Sequence, residues 1–191
     1  VTYSNVYFRE PESRADQTRM MSIVTTGSET GYYVDVFRSR KERGGDKMHD
    51  YFYHNLGQTM TLTAADGTDL NLQPTEELAF AGAHLYGYSY LYDKKVAATG
   101  KDVKATFTID MKDKGGDDIV MNLWMKGEPD REVFTALSPM TEGLSRTPGM
   151  PYNIKEQPTL TFVARQHGEA WTRPFVAVYE PSTKKEPSAI Q

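Results

Sequence analysis

Asp35 sits in the middle of an apolar run, Tyr-Tyr-Val-Asp-Val-Phe at residues 32–37. A carboxylate buried in such a run is costly unless a cation pairs with it or a metal takes it as a ligand. His49 and His54, two of the four histidines, follow in the next strand-like run. Asp35 and one of them can hold a metal such as zinc through a carboxylate oxygen and an imidazole nitrogen. The other reading is an ion pair between Asp35 and an arginine such as Arg38 or Arg40, since two ligands alone do not make a zinc site.

Strand alternation over residues 49–54 puts His49, Tyr51 and Tyr53 on one face and Asp50, Phe52 and His54 on the other. A tyrosine–histidine pair can serve proton transfer, with tyrosine as acid and histidine as charge neutraliser. The same residues also describe an ordinary tyrosine-rich strand with its hydroxyls at a wet edge. Tyr86, Tyr88, Tyr90 and Tyr92 alternate strictly within residues 84–93, which predicts a strand carrying four rings on one face. That row is either a platform for sugar rings, with Tyr86, Tyr88 and Tyr90 as substrate contacts, or a packing surface with bonded hydroxyls. His84 and His167 stand alone. No glycine-rich phosphate loop, nucleophile elbow or thiol motif is present.

The elements that must position these residues show a period close to two almost throughout. Val103, Ala105, Phe107 and Ile109 alternate with Lys104, Thr106, Thr108 and Asp110, the pattern of a strand with one wet face. Residues 118–125 place Ile119, Met121, Leu123 and Met125 on one face, with Val120 and Trp124 on the other. The loop at residues 112–117 predicts a hairpin between these strands. Residues 160–166 and 170–180 predict a second hairpin around Gln166-His167-Gly168-Glu169. Residues 19–26, 31–38, 49–54 and 59–64 are further strands. Pro74 can open one short helical turn, and no helix of ordinary length is evident. Ten or more short strands with turns every 8–12 residues predict a two-sheet sandwich.

The chain has 191 residues, 38% of them hydrophobic and 12% aromatic, enough to build a core. Its net charge of −4 is mixed along the chain, so no basic face for nucleic acid is expected. No apolar run is long enough to cross a membrane. With no cysteine, disulfides and thiolate metal sites are excluded. No charged start followed by an apolar stretch follows Val1, as would hold for a mature or excised chain.

Residues 33–57 resemble the β-sandwich region of heparinase II/III-like polysaccharide lyases. The resemblance is carried by Tyr-Val-Asp-Val-Phe-Arg at 33–38, the Gly44-Gly45 loop, and His-Asp-Tyr-Phe-Tyr-His-Asn-Leu-Gly at 49–57. Asn122-Leu123-Trp124-Met125 with Gly127, Pro129 and Arg131 looks similar to late strands of that family. So do residues 160–165 and 175–181, which extends the resemblance over roughly residues 19–181.

The resemblance implies a β region that accompanies an N-terminal α/α toroid and acts on acidic, uronic-acid-containing polysaccharides by β-elimination. A base takes the C5 proton, an enolate-like charge is stabilised, and a tyrosine commonly protonates the leaving oxygen. The toroid supplies most of the catalytic groups, and this chain has no helical pattern for one. Some members bring a tyrosine or histidine from the β region into the cleft, for which Tyr51, Tyr53 and His54 are the matching positions. Some bind zinc through His, Asp and His; Asp35 and His54 match the last two, but residues 1–34 contain no histidine.

The expectation is an all-β, antiparallel two-sheet sandwich of jelly-roll or supersandwich type over residues 1–181, with a flexible tail at 182–191. Its expected work is to support the toroid and close one wall of the glycan cleft, without activity alone, in the periplasm or secreted. The alternative is a free-standing carbohydrate-binding or structural sandwich.

Overall fold

In the strand Val103–Ile109, Val103, Ala105 and Phe107 are buried while Lys104 and Thr106 reach the surface layer. The same alternation, repeated along the chain, builds two sheets that pack face to face. The computed structural model describes residues 1–79, 83–141, 148, 149, 151, 154 and 156–190. Twelve strands occur among them: β1 (Thr2–Arg9), β2 (Ala15–Thr25), β3 (Gly31–Lys41), β4 (Met48–Asn55), β5 (Thr59–Ala64), β6 (Gln73–Pro74), β7 (Tyr92–Ala98), β8 (Val103–Ile109), β9 (Ile119–Met125), β10 (Arg131–Ser138), β11 (Thr159–His167) and β12 (Ala170–Ser182).

The larger sheet has the order β1-β2-β3-β12-β9-β8-β5 and the smaller one β4-β11-β10-β7-β6. Their pairings are antiparallel. Phe107, Leu123, Phe162 and Phe175 centre the core between the sheets. Arg131 joins this layer at 1% exposure. Its Nη2 donates to Gln166 Oε1 at 3.1 Å, and its guanidinium lies 4.8 Å from the Phe175 ring centre. Burial lowers its pKa to about 10.

A second cluster of Leu78, Leu91, Phe134, Ala136 and Val163 covers the far face of the smaller sheet. β10 and β11 are therefore buried on both faces, which is why β11 reads as a near-continuous buried run. β1 is exposed along its whole length and, among the described residues, pairs only with β2.

Three expectations are corrected. Residues 160–180 do not form a hairpin: β11 pairs with β4 and β10, whereas β12 pairs with β3 and β9. The turn at Gly168 carries the chain from one sheet to the other. Tyr86, Tyr88 and Tyr90 lie not on a strand but in a 3₁₀ segment, Ala83–Tyr90, and Tyr92 opens β7. This segment lies over the far face of the smaller sheet, where Tyr88 meets Phe52 and Asp50. Pro74 belongs to the two-residue strand β6 and begins no helical turn. Buried Glu180 accepts from the Ala189 N–H at 2.8 Å, the Ile190 N–H at 3.2 Å and the Ser188 hydroxyl, contacts between the end of β12 and residues 188–190.

Candidate functional site

β4 is an edge strand whose alternation sends side chains to two environments. Tyr51 and Tyr53 point between the sheets; Asp50, Phe52 and His54 point to the far side of the smaller sheet.

On the inner side, Tyr51 OH donates to Asp35 Oδ2 at 2.6 Å. Asp35 is fully buried. Arg19 holds both of its oxygens, with Nε at 3.0 Å from each and Nη2 at 2.5 Å from Oδ2. The ion-pair reading of Asp35 therefore holds with a different arginine. Arg38 and Arg40 lie an odd number of residues from Asp35 and so leave the opposite face of β3. Arg38 bonds the Trp171 carbonyl, and Arg40 sits 4.3 Å above the Trp171 ring. Arg19 reaches Asp35 because Met21, two residues on, is the cross-strand partner of Asp35. The hydrogen bonds to Asp35 raise the Arg19 pKa.

This arrangement does not fit zinc. A guanidinium already occupies the cation position at Asp35, and His54 lies on the other side of β4. Among the described residues, no three metal-ligating side chains group together.

Tyr53 packs edge-on against Phe107 at 5.4 Å and beside Tyr179 at 4.8 Å. Burial pushes its pKa up to about 12, so it is a poor proton donor near neutrality. His49 Nε2 lies 2.6 Å from Asp46 Oδ1.

The outer side is more open. Phe52, His54, Gly87, Tyr88, Tyr90, Leu91, Ser138 and Pro139 line a cleft of about 370 Å³. The structure thus brings together His54, Tyr88 and Tyr90, which belong to separate sequence motifs. His54 Nδ1 lies 2.9 Å from Thr161 Oγ1, which in turn is 2.7 Å from Ser138 Oγ. This chain orients the ring, and Phe52 stacks on it with centroids 6.0 Å apart. Desolvation lowers the His54 pKa, favouring the neutral imidazole.

Tyr88 meets Phe52 edge-on at 5.2 Å, and its hydroxyl donates to Asp50 Oδ2 at 2.6 Å. Burial and then the Asp50 charge raise its pKa. Arg165 donates to both Asp50 oxygens, at 2.8 Å each, and its Nη1 reaches Glu77 Oε2 at 3.2 Å. Tyr88 is thus a fixed structural ring. In a 3₁₀ segment, residues two apart do not share a face, and Tyr86 and Tyr90, each two residues from Tyr88, are open to solvent at 64% and 62% exposure. Tyr90 reaches the cleft rim and Tyr86 does not line the cleft.

Sequence reasoning missed Arg19, Asp50, Arg165, Ser138 and Thr161. Arg165 carried one usable signal: a charged residue in the apolar run 160–165 needs a buried counterion, and Asp50 lies directly opposite it.

No family model matches the chain. Over 190 residues it is 34% identical to the endo-acting ulvan lyase of Formosa agariphila, an alignment that takes in 97% of this chain and 22% of that enzyme. The chain thus matches one portion of a larger polysaccharide lyase.

Proposed function

We propose that this sandwich is the β portion of a heparinase II/III-like polysaccharide lyase and closes one wall of its glycan cleft. The observation that carries this reading is the alignment of nearly the whole chain with 22% of the ulvan lyase. The resemblance at residues 33–57 supports the finer family assignment. The substrate is an acidic, uronic-acid-containing polysaccharide, with ulvan the first candidate, and the protein works in the periplasm or outside the cell. The partner is the α/α toroid of the same polypeptide.

β-Elimination needs a base for the C5 proton, donors for the developing enolate-like charge and an acid for the leaving oxygen. In this chain the best-placed carboxylates are committed elsewhere, Asp35 to Arg19 and Tyr51 and Asp50 to Arg165 and Tyr88. The toroid therefore carries most of the chemistry. Of the three β-region cleft candidates, His54 is the one facing open space. Tyr51 is buried between the sheets and Tyr53 is half-buried on the same side. A neutral His54, oriented through Thr161, offers its second nitrogen to a sugar hydroxyl, while Tyr90 offers a ring face.

Titrating the isotope-labelled chain with ulvan oligosaccharides tests the wall. Amide shifts should centre on Phe52, His54 and Tyr90 and shrink in Tyr90→Ala. No response at these positions would overturn the assignment.

The exposed Tyr86 and Tyr90 favour a second reading, a free-standing carbohydrate-binding module. Such a module binds glycan at full strength by itself; a cleft wall binds weakly without its toroid.

A further inference from the structure

A second cleft, of about 420 Å³, opens where the ends of β2 and β3 and the loop between β3 and β4 face the start of β4. Its hydrogen-bonding groups are unevenly spent. Each acid on its wall accepts hydrogen bonds from within the chain. Asp46 Oδ1 accepts the Lys41 N–H at 2.6 Å and meets His49. Asp50 is held by Arg165 and Tyr88. Glu10 accepts the Glu12 N–H at 3.0 Å and the Ser13 N–H at 2.5 Å.

The donors are not engaged. Lys41 and Lys47 line the cleft and form no ion pair among the described residues. Ser39 is 1% exposed, and its Oγ has no hydrogen-bond partner. Buried polar groups in folded proteins are rarely left so. Phe37 and Met48 supply apolar wall beside these donors. Gly44 and Gly45, at φ 85° and 73°, turn the loop in the left-handed region and leave the rim without side chains.

Two lysines without an ion pair beside an apolar wall suit an anionic ligand that also presents a ring face. We propose that this cleft binds one anionic sugar unit of the polysaccharide, its carboxylate or sulfate between Lys41 and Lys47 and its ring against Phe37 and Met48. The inference rests on the acidic-polysaccharide reading above, but it concerns a different site. β4 joins the two: Met48 and Asp50 lie at this cleft and Phe52 and His54 at the other, with six residue steps, roughly 20 Å of strand, from Met48 to His54. The site therefore anchors the glycan away from the His54 cleft and selects for charge.

Isothermal titration of the chain with unsulfated chondroitin oligosaccharides, with their carboxyl-reduced counterparts and with inorganic sulfate tests this. The uronate form should bind the wild type, and its affinity should fall at least about tenfold in Lys41→Ala/Lys47→Ala, the scale of losing a charge-assisted contact. Lys41→Arg/Lys47→Arg should keep binding, and carboxyl reduction should abolish it. Binding of sulfate as well would assign the anion pocket to either acidic group. Equal affinity in the double alanine variant at unchanged thermal midpoint would overturn the proposal, as would no binding of any uronate oligosaccharide. Loss in Tyr90→Ala with no effect of the lysine pair would sink this site and leave the His54 wall standing; the reverse would do the opposite.

Discussion

At the scale of single residues, the contrast between Asp35 and His54 decides what β4 can contribute. Asp35 is fully buried and its charge is matched by Arg19, which is itself 46% exposed. Removing the arginine strands the carboxylate with one tyrosine donor. Arg19→Leu should cost about 2–4 kcal/mol, somewhat below the usual penalty for breaking a fully buried pair because Arg19 is partly solvated. Urea denaturation measures it, and a loss under about 0.5 kcal/mol, the range of ordinary surface changes, would refute the pairing. Arg19→Lys should recover part of the loss, because a lysine cannot hold both oxygens in one plane.

His54 makes the opposite case. Its pKa is lowered in the folded state, so the unfolded chain takes up a proton first as the pH falls. Its contribution to stability is therefore present above the unfolded value of about 6.5 and is lost on acidification. Proton NMR of the imidazole should give a midpoint below that value, and Phe52→Ala should move it upward by letting water reach the ring. A midpoint at or above the unfolded value would contradict the desolvation account. The buried setting of Asp35 was legible in the sequence because its neighbours are apolar. Its partner was not, because Arg19 is sixteen positions away and meets Asp35 only through the β2–β3 register.

At the scale of elements, alternation revealed most long strands and failed where its physical premise failed. β8 has one wet face, so its pattern is clear. β10 is covered on both faces and β1 on neither, so period two is weak there. The tyrosine row shows the converse: a period of two in residues 86–92 comes from a segment draped on a sheet, with Tyr88 pinned to Asp50 and Tyr90 left at the rim. Turn residues were read correctly as turns, but Gly168 cannot say whether the next strand pairs with the last or crosses to the other sheet.

Close approach of backbones is equally hidden. A Cβ on Gly127 would lie 2.3 Å from the Gly100 carbonyl oxygen and 2.4 Å from the Lys101 carbonyl carbon. Gly127→Ala must push the loop after β7 away from the loop after β9, which should cost about 1–3 kcal/mol, as overpacking does. A thermal midpoint equal to the wild type would show that these loops yield freely.

At the scale of the whole molecule, the two sheets and their antiparallel pairings follow from sequence, and the sandwich architecture is as expected. What the fold adds is the division of β4 between a sealed inner face and an open outer one. That division puts Tyr51 and Asp35 with Arg19 on the inner side and His54 on the outer one. It also places both clefts along the same edge strand. No helix among the described residues is long and apolar enough to cross a membrane. The account's central claim is that this sandwich shapes a lyase's glycan cleft and leaves the elimination to a partner. Incubating the chain alone with ulvan, heparin, heparan sulfate, alginate and chondroitin, and following the ultraviolet absorbance of unsaturated product, tests it most directly. The account predicts a flat trace with every glycan; sustained turnover by the chain alone, lost in His54→Ala, would contradict it.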